Sequence, residues 1–411
     1  MSASNQTIRA GIIPLLDCAP LVIAHELGFA SGEGVELVLV RETSWATIRD
    51  RLAVGHLDAA HLLAPMPIAA VLGLNPMPHD LVVPVALGSG GNTVTVSHAV
   101  WRAIAAAGAP ADFDAARAVA ALEKVVASRK KRGEPRLVFG IVHPHSAHHY
   151  ELNYWLAAGG IIPGRDVELV VVPPPLMPAA LASGRIDGFC AGEPWGSAAV
   201  GDGAGVILTT KAHIWRSAPE KVIGVSRQWL EHNEGEAQAL VRAIYKAARW
   251  CDAEENQAAL AEILARPPYL GLPRDLLQRS LSRRLPSPAG EEVAVPGLLR
   301  FAENNGTVPW PHHGLWFYTQ MVRWGQIAFD PGHVEIVRRA WRPEIYRAAL
   351  AALEASGADK DAGVMPVADA TGAGLVIDLF FDGGRFDPDR IAEYIAQSAS
   401  PLDLPVAHRG E

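Results

Sequence analysis

Leu52-Ala53-Val54-Gly55-His56-Leu57-Asp58-Ala59-Ala60 and, further along, Leu181-Ala182-Ser183-Gly184-Arg185-Ile186-Asp187-Gly188-Phe189 carry one pattern twice. Each stretch reads as the end of a helix, a glycine able to close it in a left-handed turn, one apolar residue, an aspartate and a buried strand. Each strand then runs into a proline-bearing loop, Ala64-Pro65-Met66-Pro67 in the first case and Gly192-Glu193-Pro194-Trp195 in the second. The pattern is short enough to suit two unrelated βαβ units. Read as a repeat, it predicts two like α/β lobes with a ligand held between them, at the loops that follow the strands.

Outward from the first unit, strands are predicted over Thr7–Ile13, Val35–Val40, Ala59–Leu63 and Leu81–Ala86. Helices follow over Pro20–Leu27, ended by Gly28, and over Trp45–Val54, capped by Ser44 and closed by Gly55. Outward from the second, Leu137–Val142 and Val167–Val172 are strands, His148–Ala158 is a helix capped by Ser146, and Met177–Ala182 is helical. This alternation is the mark of parallel sheets. The Ala-rich stretch 100–132 reads as a helical excursion on the surface, and its basic end, Arg129-Lys130-Lys131-Arg132, as a solvated loop. Beyond residue 225 the pattern is mainly helical, up to a late segment Gly374–Phe381. The expected division is a first part of lobe I over residues 1–95, lobe II over 96–205, and over 206–411 a return to lobe I with a C-terminal helical region.

A chain of 411 residues, 49% hydrophobic and 19% charged, can bury two substantial cores. Its net charge of −8 argues against a nucleic-acid surface, which needs clustered Lys and Arg. There is no apolar run long enough for a membrane span and no basic, then apolar, leader before the first strand. Cys18, Cys190 and Cys251 form no paired motif. The expected setting is therefore a reducing one, the cytoplasm.

Longer motifs carry a family resemblance. Glu42-Thr-Ser-Trp45-Ala-Thr-Ile-Arg-Asp50, Tyr154-Trp-Leu-Ala-Ala-Gly-Gly160, Val172-Pro-Pro-Pro175, Phe189-Cys-Ala-Gly-Glu-Pro-Trp195 and Pro219-Glu-Lys221 resemble the nitrate- and bicarbonate-binding proteins of ABC transporters. The resemblance implies the type II periplasmic-binding-protein fold, α/β and two-lobed, with a helical C-terminal extension. Without a leader and with an extra segment near 100–132, the chain resembles the NasS type, nitrate/nitrite sensors that restrain a NasT-type antitermination regulator. A transporter's substrate-binding component is the alternative that the family implies. A thiamine-pyrimidine synthase on the same fold is a distant one, and this chain lacks the cysteine cluster of such enzymes.

Four positions match the family's ligand residues: Trp45, Asn92, His148 and Lys221. Nitrate is an anion with acceptors only, so its site is expected to present donors and a net positive charge. Trp45 supplies an indole N–H and a wall at a helix start, His148 an imidazole at the corresponding start in lobe II, and Lys221 the counter-charge. Asn92 stands where the transport proteins usually carry Gln, at the end of a glycine run, Gly88-Ser-Gly-Gly91, that suits a crossing between lobes. The donor-only set favours nitrogen oxyanions over bicarbonate, whose hydroxyl needs an acceptor. His143, His145, His148 and His149 are spaced unfavourably for a metal, because Pro144 and the helix start splay them. No cofactor, metal or catalytic motif is expected, and the chain reads as a binding protein, not an enzyme.

Overall fold

The computed structural model describes residues 6–75, 79–216, 218–355 and 380–398. The strands of the first lobe are β1 Gln6–Ile12, β2 Val35–Arg41, β3 Ala59–Leu63 and β4 Leu81–Ala86. Those of the second are β5 Asn92–Ser97, β6 Leu137–Ile141, β7 Val167–Val171, β8 Gly188–Gly192 and β9 Gly205–Thr210. β10, Lys221–Ser226, returns to the first sheet. The sheet orders are β2-β1-β3-β10-β4 and β7-β6-β8-β5-β9. They are the same order, and in each the strand arriving from the other lobe, β10 or β5, runs antiparallel to its neighbours. The fold is two-lobed α/β.

The repeated sequence pattern has one physical cause in both lobes. Asp58 accepts a hydrogen bond from the backbone N–H of Arg9 in β1 at 2.8 Å, and Asp187 accepts one from Val138 in β6 at 2.8 Å. Each aspartate's own N–H returns a bond to the same residue's carbonyl. The pair thus pins β3 to β1 and β8 to β6. Gly55 and Gly184 have φ of 72–75°, the left-handed turn that L side chains resist. The apolar residues between, Leu57 and Ile186, are 2% exposed. They pack over Gly11 and Gly140, where an added Cβ would lie 2.7 and 3.2 Å from them.

The lobe boundaries differ from those expected. The first crossing is Gly88–Gly91, because β5 already belongs to the second sheet from Asn92. The second lies between Thr210 and Lys221, since β9 pairs with β5 as far as Thr210, beyond the expected limit of 205. At the first crossing Ser89 and Gly90 pair with Arg300 and Leu299. There Gly90 has φ +80° and leaves no room for a Cβ, which would stand 2.4 Å from the carbonyl oxygen of Leu298.

Residues 98–131 are not a surface excursion. They form helices His98–Ala106 and Ala115–Lys131 that close the core of lobe II. Ile104, Ala118, Val119 and Leu122 are fully buried there, and the indole of Trp155 donates to the carbonyl of Ala115 at 2.8 Å. The apolar positions 115, 118, 119, 122 and 126 recur at helical spacing, so one face of the second helix is core. Arg129, Lys130 and Lys131 lie in its last turn rather than in a loop, where cations suit the helix dipole.

After β10 the chain is mainly helical, with Glu234–Asp252, Gln257–Leu264 and Pro343–Ala355 covering one side of the first sheet. Pro311–Arg323 and Pro331–Ala340 cover the other. Of the expected late segment Gly374–Phe381, only Phe380 and Phe381 are described, and the remainder lies outside the described residues.

Candidate functional site

The four residues singled out from the sequence converge between the lobes. Trp45 opens helix Trp45–Ala53, whose cap is made by Ser44 Oγ accepting from the Thr47 N–H at 3.1 Å. Its indole is buried, with Lys221 Nζ 5.5 Å from the ring centroid. Lys221 begins β10, His148 lies in the first turn of helix Ala147–Ala158, and Asn92 begins β5. All three are at most 1% exposed.

What joins them is a chain of buried charges that the sequence reading missed. Lys221 Nζ lies 2.7 Å from both Asp17 and Glu220. Lys211 Nζ lies 2.6 Å from Glu220 and 2.7 Å from Glu151. Asn92 Nδ2 donates to Glu151 at 3.0 Å and to Glu220 at 2.5 Å. His148 Nδ1 faces Glu220 at 3.1 Å, and His61 Nε2 faces Asp17 at 3.0 Å. The order of charges is Glu151, Lys211, Glu220, Lys221, Asp17.

The expected donor-only, net-positive site is therefore corrected. An ammonium 1% exposed cannot stand unpaired, because desolvation costs several kcal/mol per ion. Asp17 and Glu220 neutralise Lys221, and Lys211 is shared by two carboxylates. Asn92 spends its amide N–H groups on carboxylates. His148 is not a surface histidine, and burial, with Lys221 and Lys211 nearby, outweighs Glu220 and lowers it to about 3. It is neutral near pH 7.

One tautomer follows from the contacts. The Ile13 N–H donates to His61 Nδ1 at 3.3 Å, so the proton of His61 is on Nε2, toward Asp17. His148 Nδ1 approaches Glu220 at 3.1 Å without forming a hydrogen bond. Trp45 Nε1 and both ring nitrogens of His148 are buried without a hydrogen-bond partner among the described residues.

The carboxylates differ. Burial works to raise Glu220, but His148, Lys211 and Lys221 more than offset it and hold it well below its usual range. Burial also opposes ionisation of Asp17, and Lys221 and His61 outweigh it. Glu151 goes the other way: burial, reinforced by Glu220, pushes it up to about 7 in spite of Lys211 and Asn92.

Some of this was within reach of the sequence. Glu220 adjoins Lys221 inside a recognised motif, and Glu151 follows His148 by three residues, on the same helix face. His61 interrupts an otherwise apolar buried strand. Asp17 and Lys211 carry no local signal. The imidazoles of His143 and His145 stand 5.8 Å apart, while His149 Nδ1 lies 2.6 Å from the carbonyl of Pro144. Among the described residues no three His, Cys, Asp or Glu side chains converge on a position for a metal ion.

Residues 2–265 of the chain match a family profile described as the NMT1-like family. The chain belongs to the NMT1-like family. This NMT1-like chain is 30% identical over 407 residues to the nitrate/nitrite binding protein NrtA of Nostoc sp. PCC 7120, covering 96% of this chain and 87% of that protein. It is 36% identical over 341 residues to the nitrate import ATP-binding protein NrtC of Synechocystis sp. PCC 6803, covering 82% of this chain. It spans about half of that longer relative (48%). The crystal structure of the periplasmic nitrate-binding protein NrtA from Synechocystis PCC 6803 superposes with a TM-score of 0.84 at 28% identity, over 95% of this chain and 98% of that one. Among the described residues no helix is long and apolar enough to cross a membrane.

Proposed function

We propose that this chain binds nitrate or nitrite at the buried charge cluster between its lobes. One observation carries the reading: the indole N–H of Trp45 is buried without a hydrogen-bond partner, beside the ammonium of Lys221. An unsatisfied buried donor costs about 1–3 kcal/mol, which an acceptor-only anion in contact with it recovers. The nitrate-binding relatives support the same ligand class. The carboxylates of Asp17 and Glu151 can accept from an O–H group, which admits hydrogencarbonate as a competitor. Thermal melts with nitrate, nitrite, hydrogencarbonate and chloride decide among them. Nitrate at a hundred times its Kd is expected to stabilise the fold by about 2.7 kcal/mol. Equal shifts for all four anions, or none, refute the reading.

We further propose that the bound state is read by a cytoplasmic antitermination regulator of the NasT type, with no catalytic step. The resemblance to NasS-type sensors motivates this. The named roles of the relatives support the other output, delivery to a membrane permease. A sensor whose partner prefers one lobe arrangement must release it when the anion favours another. Size-exclusion chromatography of the chain with such a regulator is expected to show a complex that nitrate or nitrite dissociates. A complex indifferent to the anion, or no complex, removes the sensor role and leaves anion binding standing.

A further inference from the structure

Three carboxylates, Asp17, Glu220 and Glu151, share two ammonium groups, Lys211 and Lys221, in a cluster no member of which is more than 5% exposed. The balance is one negative charge, with both histidines neutral. Entry of a monoanion would double it in a place that water does not screen, unless a positive charge comes with it. A proton is the smallest one, and the geometry says where it fits. Glu151 and Asp17 end the charge chain, each sharing its lysine with Glu220. Asp17 alone also faces the N–H of an imidazole, His61 Nε2 at 3.0 Å, so Glu151 is the end less held as an anion.

We propose that the anion enters together with one proton, which Glu151 holds. The inference rests on the anion-binding reading above. The step is a simple protonation: the Glu151 carboxylate takes H⁺ from solvent and becomes a neutral acid. Lys211 is then left to Glu220 alone, Glu220 draws less on Lys221, and the charge so freed lies beside Trp45, where the anion is placed. The total charge of the cluster with its ligand is the same before and after.

The groups facing Glu151 allow this. Lys211 and Glu220 come from the second crossing, Asn92 from β5, and the buried thiol of Cys190 from β8. His148 lies one turn earlier on the same helix and His313, which feels Lys211, comes from helix Pro311–Arg323. Beyond them Lys221 and Asp17 complete the chain. Lys211 and Asn92 favour the ionised carboxylate, while burial and Glu220 oppose it. The resulting value of about 7 leaves the proton exchangeable near neutrality. Putting the proton on His148 instead would mean charging a group that burial holds at about 3.

Calorimetric titration of the whole chain with sodium nitrate, in buffers of different ionisation enthalpy, counts the protons taken up. The expected uptake is close to one per nitrate at about pH 8.5 and near zero at about pH 5.5, with Kd rising up to about tenfold per pH unit above neutrality. The isosteric Glu151→Gln variant is expected to bind nitrate with no proton uptake and a Kd flat across that range. Binding by the unaltered chain without proton uptake overturns the proposal and leaves the anion reading intact. Uptake that persists in Glu151→Gln overturns the assignment to Glu151. If nitrate gives no binding heat or melting shift at any pH, the anion reading itself has failed.

Discussion

Replacing Lys221 by Met keeps most of the side chain's volume and deletes its charge, which strands Asp17 without its ammonium at 2.7 Å and leaves Glu220 with Lys211 alone. Removing one partner of a buried ion pair costs about 3–5 kcal/mol, because the remaining charge stays desolvated. The cost must depend on pH, and the sign follows from protons bound. In the unaltered chain both carboxylates are held below their usual range, so their contribution to stability is complete above the pH at which unfolded carboxyls ionise, about 4. In the variant Asp17 keeps only the neutral His61 and its folded-state value rises above that of the unfolded chain, while Glu220 still has Lys211 at 2.6 Å. The folded variant then binds more protons than the unfolded one, and its stability falls as pH rises. The gap between the two proteins is therefore expected to widen from about pH 4 upward, by up to about 1.4 kcal/mol per pH unit for the stranded Asp17. Urea unfolding of both proteins at about pH 5 and about pH 8 measures it. Adding Asp17→Asn to the variant should narrow the gap at the higher pH. A gap of equal size at both pH values refutes the buried pairing. For that reason Lys221→Ala is a poor probe of ligand contact, since loss of binding in it is confounded with loss of the fold.

Trp45→Phe keeps an aromatic wall against His61 and Lys221 but removes the unpartnered N–H. It is expected to weaken nitrate binding by about 1 kcal/mol, roughly fivefold, while leaving the melting temperature without nitrate unchanged or higher, and calorimetry with thermal melts checks both. Gly90→Ala forces a Cβ against the carbonyl of Leu298 at a left-handed φ, so it should destabilise the fold by more than about 1 kcal/mol in urea unfolding. Asp187→Ala strips the Val138 N–H of its acceptor and should cost about 1–3 kcal/mol by the same measurement.

The fold was legible where local chemistry and tertiary structure agree. The helix caps Ser44 and Ser146, the left-handed glycines and the strand-pinning aspartates act within a few residues of the elements they set. Residues 98–131 were misread because alanine is a good helix former on a surface and small enough for a crowded core. Only the recurrence of Ala115, Ala118 and Leu122 at helical spacing marks the buried face. The basic donors of the site could be named, but not their neutralisation. Lys221 and Asp17 are 204 residues apart, and Glu151 meets Lys211 only because the second lobe folds β9 and the helix after β6 toward one point. Acidic residues are ordinarily solvated, so a sequence gives no reason to draw three of them into a dry cleft.

The distribution of that cluster bears on how ligand binding reaches the rest of the molecule. Asp17, Trp45, His61 and Lys221 belong to lobe I, Asn92, His148 and Glu151 to lobe II, and Lys211 opens the second crossing just after β9. Glu220 stands on the second crossing and is held from both sides, by Lys221 on one and by Lys211, His148 and Asn92 on the other. Any rotation that parts the lobes must pull Glu220 from one set or the other and leave buried charge short of partners. A ligand that alters the share of Lys211 and Lys221 taken by Glu220 therefore changes the energy of the lobe arrangement itself. In this chain the atoms that would recognise the anion are also the contacts that tie lobe to lobe, so binding and lobe movement are coupled through one carboxylate.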